Sequence, residues 1–188
     1  MSSILLTAPA VEPLSLAEAK AFLRVEHADD DDVIAALISA SRIHVEAQTR
    51  RALITQNWRL TIDNWPADGR LKVAPAPLRE LAAARVYDVG GAAHPIDTNS
   101  FVVDAGASVL AFAPWALPPP GRIAAGIELD VVAGYGDAAS DVPEPLRQAI
   151  RMLTAHWYDN RGLAASGAGA ILPMTVAALI APYRMLSL

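Results

Sequence analysis

The chain has 188 residues, with 15 basic and 20 acidic side chains and a net charge of −5. That length can bury a core unaided. With no cysteine present, disulfide scaffolds, thiolate zinc sites and cysteine nucleophiles are excluded together. A pI of about 5.3 argues against a protein that holds nucleic acid by a basic stripe.

Hydrophobic residues make up 53% of the chain, but 38 of them are alanine, so the composition is globular against an alanine-rich background. Residues 1–13 lack a basic region and carry Glu12, which is unlike a signal peptide and points to synthesis in the cytoplasm. From Gly162 to Tyr183 no residue is charged, a length that could span a bilayer. Its first half is nearly all alanine and glycine, which transfer weakly into lipid and form poor helices in water. A flexible linker leading to a short apolar tail is the expectation for residues 162–188.

In chain order, residues 14–24 predict a short helix, with Ser15 as N-cap and Glu18 at the capping-box spacing. Its apolar face is Leu16, Ala19, Phe22 and Leu23. The run Asp29 to Asp32 opens a second helix reaching about Thr49. Val33, Ile34, Leu37, Ile38, Ser41 and Val45 form its stripe, with Arg42 and Glu46 outside it. After Arg51 the period becomes two. Gln56 to Asp63 alternates, with Trp58, Leu60 and Ile62 on one side. Further strands are expected at 71–73, 84–89, 100–103, 109–112 and 127–133, separated by turn signals at 66–69, 90–91, 97–99 and 118–121. A third helix is expected from about Pro143 to Asn160, with prolines in its first turn, and a short one over residues 176–185.

The expected fold class is therefore α+β, a helical body from the two ends of the chain with an inserted antiparallel β-rich unit. The segments are 1–53 (helical), 54–136 (β-rich insertion), 137–161 (long helix completing the body) and 162–188 (linker and tail).

Enzyme signatures are absent from the sequence. It holds no nucleophile elbow, no His-Glu-x-x-His, no Walker loop and no dinucleotide fingerprint. The aspartate run could suggest a cation site, but it lacks the glycines and spacers of a calcium loop. Carboxylates at a helix start also satisfy free N–H groups and the positive dipole end. His27, His44, His94 and His156 have no ligand spacing, so no metal or cofactor is expected. His156, Tyr158 and Asp159 stand close enough for a small ligand-binding or hydrolase-like pocket, although no nucleophile accompanies them.

Several of these pieces occur in a familiar order. PLSLAEAKAFLRV at 13–25 leads into the aspartate run, and VEAQTRRALITQNWR follows at 45–59. PLREL stands at 77–81, VAGYG at 132–136 and VPEPLRQAI at 142–150. HWYDNR at 156–161 and LIAPYR at 179–184 complete the set. The ordered set resembles the head–tail connector (adaptor) family of tailed bacteriophages and gene transfer agents, and the resemblance spans nearly the whole chain.

It implies a structural protein, not an enzyme. Such a protein would stand in the particle neck as a ring, generally of twelve copies, between the portal and a tail or stopper protein. DNA would pass through without sequence-specific binding, and no membrane is involved. The tail's apolar residues suggest a portal-binding arm made of Leu172, Met174, Val176, Leu179, Ile180, Tyr183, Arg184, Met185 and Leu186. The alternative for these residues is that they fold back onto the helical body. A peripheral membrane role for residues 163–186 is the third reading.

Overall fold

The computed structural model describes residues 2–160 and 173–185. The expected linker, along with Leu172 and Leu186, lies outside the described residues. The fold is α+β. The chain divides into two compact units, one of Ala10–Ile54 with Gly136–Leu188, the other of Met1–Pro9 with Thr55–Tyr135.

The first unit is helical. Helix α1, Leu16–Leu23, begins at a reciprocal cap: the Glu18 amide donates to Ser15 Oγ at 3.2 Å, and the Ser15 amide donates to Glu18 Oε2 at 2.9 Å. Helix α2, Asp31–Thr49, ends where Arg50 turns left-handed at φ 56°, which opens the final turn to its neighbours. Helix α3 is Glu144–Asp159 and α4 is Met174–Ile180.

Ile34, Ile38 and Val45 of α2 are buried, as are Leu146, Ile150 and Leu153 of α3. Among them Thr154 Oγ1 donates to Ser41 Oγ at 3.1 Å, so neither hydroxyl is buried without a partner. Two residues of the expected stripe fare differently. Val33 on α2 and Phe22 on α1 are 40% and 46% exposed.

Arg42 departs from its expected place outside the apolar face. It is 7% exposed. Its Nε donates to Glu12 Oε2 at 2.8 Å, and Nη1 donates to Glu46 Oε2 at 2.8 Å. Glu46 Oε1 in turn accepts from the Leu53 amide at 2.8 Å. A guanidinium can enter the helical unit because two carboxylates meet it there, and Glu12 comes from thirty residues upstream.

The second unit holds two antiparallel sheets. Strand β1 is Ser2–Thr7, β2 Gln56–Ile62, β3 Arg70–Lys72 and β4 Leu78–Tyr87. Strand β5 is Ala93–Ile96, β6 Phe101–Asp104, β7 Val109–Phe112 and β8 Ile127–Ala133. The five-stranded sheet runs β1-β2-β8-β4-β5 and the three-stranded sheet β3-β7-β6.

Leu60, Leu78, Leu110, Ile127 and Leu129 form the buried centre of this unit, and Trp58, Trp65 and Phe112 pack against it. Trp65, Phe101 and Phe112 meet with ring centroids 5.1 to 5.8 Å apart, and Trp65 Nε1 donates to the Pro118 carbonyl at 2.9 Å. At Gly69, φ is +67° and a Cβ would lie 2.2 Å from the Phe112 carbonyl oxygen. That turn therefore requires glycine.

Three features of this unit differ from the sequence reading. Residues 2–7, inside the segment read as helical, form strand β1 along β2, with Ile4 opposite Arg59 and Leu5 opposite Trp58. All six residues are exposed, so no alternating pattern marks the strand. Strand β4 starts six residues before the expected 84, because bulges between Leu78 and Glu80 and between Leu81 and Ala83 break its period. Strand β5 gives no sequence signal because it is short, largely exposed and interrupted by Pro95.

Replacing Leu129, which is fully buried, with alanine is expected to cost about 2–5 kcal/mol. Val89→Ala, at a site 88% exposed, should leave stability unchanged. Urea titrations followed by circular dichroism distinguish the two.

Candidate assembly surfaces

Among the described residues no group of three or more acidic or histidine side chains could hold a metal ion, and no helix is long and apolar enough to cross a membrane. The aspartate run is divided among structural tasks. Asp30 takes the N-cap position of α2 and accepts a hydrogen bond from the Tyr158 hydroxyl. Asp31 pairs with Lys20 at 2.5 Å.

The residues considered for a pocket are not brought together for catalysis. Tyr158 is turned to Asp30. His156 Nδ1 lies 3.4 Å from Asn160 Nδ2, its Nε2 is buried without a hydrogen-bond partner, and Asp159 is exposed. His44 stacks edge-on to Trp157 at 5.8 Å. These contacts are those of helix packing.

The structure splits the tail residues into two sets. Val176 and Ile180 are fully buried in the helical unit. Leu179, Tyr183 and Met185 are half-buried, Arg184 is exposed, and Met174 is 87% exposed. Residues 183–185 are tied to the end of α2. Arg51 Nε donates to the Tyr183 carbonyl at 2.6 Å, the Met185 amide donates to the Thr49 carbonyl at 3.0 Å, and Arg184 Nη2 donates to Gln48 Oε1 at 3.1 Å. The described part of the tail is thus folded onto its own unit, and Val176 and Ile180 are core residues there. The apolar count that suggested an arm measures, in part, what this unit needs for its core.

The β unit carries a charged outer face. Asp130 of β8 sits between Arg59 of β2 and Arg85 of β4. Arg59 Nε donates to Asp130 Oδ1 at 2.7 Å, and Arg85 Nη2 donates to Asp130 Oδ2 at 2.5 Å. Glu128, two residues back on the same face, accepts from Arg85 Nη1 at 3.3 Å. The Arg59 guanidinium foremost, against the opposing cost of burial, holds the Asp130 carboxyl below its ordinary value. Arg122 lies over the Tyr87 ring at 4.2 Å and donates to the Gly91 carbonyl at 3.1 Å. These contacts fix a loop pair whose tips expose Val89 and Ile123, the latter 96% exposed. Trp115 is 88% exposed.

No protein-family model and no curated protein matches the chain. Solved structures do. A chain in the neck of an empty gene transfer agent (GTA) particle, computed with C6 symmetry, superposes with a TM-score of 0.83 at 27% identity, covering 100% of this chain and 97% of that one. A chain of the virion of a native GTA particle gives 0.83 at 25% identity, again over 100% and 97%. A chain in the neck of a native GTA particle computed with C12 symmetry gives 0.78 at 27% identity with the same coverage. Over its full length this chain is similar to chains of GTA particles, two of them from the particle neck.

The exposed apolar residues carry no signal in the sequence. Trp115, Ile123 and Val89 sit in loops where no period distinguishes an outward side chain from an inward one. The charged ladder could have been found by aligning Arg59, Asp130 and Arg85 across strands, but that needs the register β2–β8–β4, which only the pairing supplies.

The depressed Asp130 predicts an acid limb. The unfolded carboxyl takes up protons first as pH falls. Its contribution is therefore complete above about pH 4 and is lost as pH drops through the lower folded value. Glu18, held down chiefly by the Ser15 amide, adds in the same direction. In pH-dependent melts Asp130→Asn should be less stable than wild type at neutral pH and should show a flatter acid limb.

Proposed function

We propose that the chain is a structural, non-catalytic adaptor of a particle neck, assembling as a ring, generally of twelve copies, between the portal and the tail or stopper protein, with DNA passing through. The observation that carries this is coverage. The match to GTA chains, two of them from the neck, covers 100% of this chain and 97% of each of those at identities of 25% to 27%, so the likeness is to a whole subunit and not to a shared module. Neighbours computed with C6 and C12 symmetry support a ring of copies. The net charge of −5 suits a conduit, because a strongly basic wall would retain the phosphates.

The portal-binding role of the tail is kept as a proposal for the residues that face outward: Met174 first, then Arg184, with the half-buried Leu179, Tyr183 and Met185 beside them. Val176 and Ile180 contribute by holding that segment in place.

Deleting the gene from a producing strain should leave filled heads and separate tails in negative-stain micrographs; joined particles would refute the adaptor reading. Duplex DNA titrated at about physiological salt should show only weak binding without sequence preference, and nanomolar sequence-dependent affinity would contradict the conduit role. For the tail, Met174→Asp should weaken capture of the chain by immobilised portal protein at an unchanged melting temperature. Ile180→Ala should instead destabilise the helical unit, by about 2–5 kcal/mol. Undiminished capture by Met174→Asp would remove the tail from the portal contact.

A further inference from the structure

The two sheets of the β unit have four outer strands, and these are protected unequally. Strand β3 carries Arg70 and Lys72 on its exposed positions, and β5 is four residues long and contains Pro95. Cationic side chains and proline are the usual means of blunting a sheet edge. Strand β1 has neither. Its residues Ser2–Thr7 are uncharged and free of proline, and Ile4, Leu5 and Leu6 are 57%, 42% and 45% exposed. Strand β6 has no cationic residue or proline and ends on the exposed Asp104, with Val102 and Val103 at 69% and 36% exposed. Each of the two pairs on one side alone, β1 with β2 and β6 with β7. A bare apolar edge is a template for another strand.

The two bare edges also lie apart. Strand β6 packs beside β4, and β4 stands three inter-strand spacings from β1, roughly 14 Å at the usual separation. They are different patches of one unit, which is what a cyclic ring requires. Neighbours in a ring with only an n-fold axis meet head to tail, one patch of one copy against a different patch of the next. A β1–β1 contact would close as a two-fold dimer and stop.

We propose that the β1 edge of one copy adds to the β6 edge of the next copy, continuing the sheet from subunit to subunit. The inference rests on the ring reading above and names the contact that closes it. Main-chain hydrogen bonds would join the strands. Ile4 or Leu5 would pack against Val102 or Val103, removing the most exposed strand side chains from water.

The absence of native cysteine makes the test direct. Variants carry one cysteine in place of Ile4, Leu5 or Leu6 and one in place of Val102 or Val103, a scan that covers the strand registers a disulfide can bridge. They are oxidised within assembled particles and run without reductant. At least one pair should give a ladder of covalent multimers, while each single-cysteine variant stays monomeric. Particles that contain several copies of every double variant but give no ladder overturn the edge pairing and leave the ring reading intact. Particles shown by quantitative mass spectrometry to carry one wild-type copy overturn both. Ile4→Lys and Val102→Lys provide a second measure. Each should keep the wild-type melting temperature but lower incorporation into particles at least several-fold, and full incorporation of both would count against the proposal.

Discussion

Strand β8 is where the β unit is closed. Its residues Ile127, Leu129, Val131 and Ala133 are buried on one side, and Glu128 and Asp130 on the other tie Arg85 of β4, with Arg59 of β2 bound to Asp130. One seven-residue segment thus supplies both a stripe of the core and the charged seam of the outer face. It pairs with β2, some seventy residues earlier, and with β4, some forty-five residues earlier. The hairpins β4–β5 and β6–β7 are local, but joining β2 to β4 through β8 first costs the entropy of closing those long loops.

The helical unit depends on the same kind of distant closure. Helix α4 contributes Val176 and Ile180 to a core begun by α2 and α3, and Met185 bonds back to Thr49 at the end of α2. Arg42 is fixed by Glu12 from before α1 and Glu46 from its own helix. A buried guanidinium between two carboxylates contributes little net stability relative to an apolar replacement, but it penalises any arrangement that separates the three. It therefore specifies how the segment before α1 meets α2.

The surface combines a self-neutralised charged face with exposed apolar residues. The charged side chains on the sheet face neutralise one another, so that face offers no concentrated field to DNA. Among the large apolar residues, Ile123, Trp115, Val89 and Met174 are the most exposed. Single exposed apolar side chains are ordinary, but bare strand edges in addition are a liability in a protein that remains alone and an asset in one that assembles.

The sequence by itself determined the elements with strong local signals. The Ser15–Glu18 cap, the α2 stripe through Ile34, Ile38 and Val45, the alternation from Trp58 to Ile62 and strands β7 and β8 all follow from period and capping. In each the local preference and the burial agree. The ordered motifs also carried the connector resemblance. What tertiary structure alone decided was everything that needed a distant partner. Strand β1 shows no alternation because neither of its faces is buried, and β5 is too short and too exposed to have a period. Arg42 could be placed inside only once Glu12 and Glu46 were known to meet it. The tail posed the same problem in reverse. Apolar residues at helical spacing fit a free arm and a core helix equally well, since period reports which residues share a face and not what covers it. The contacts of Val176, Ile180 and Met185 with the helical unit supply the cover.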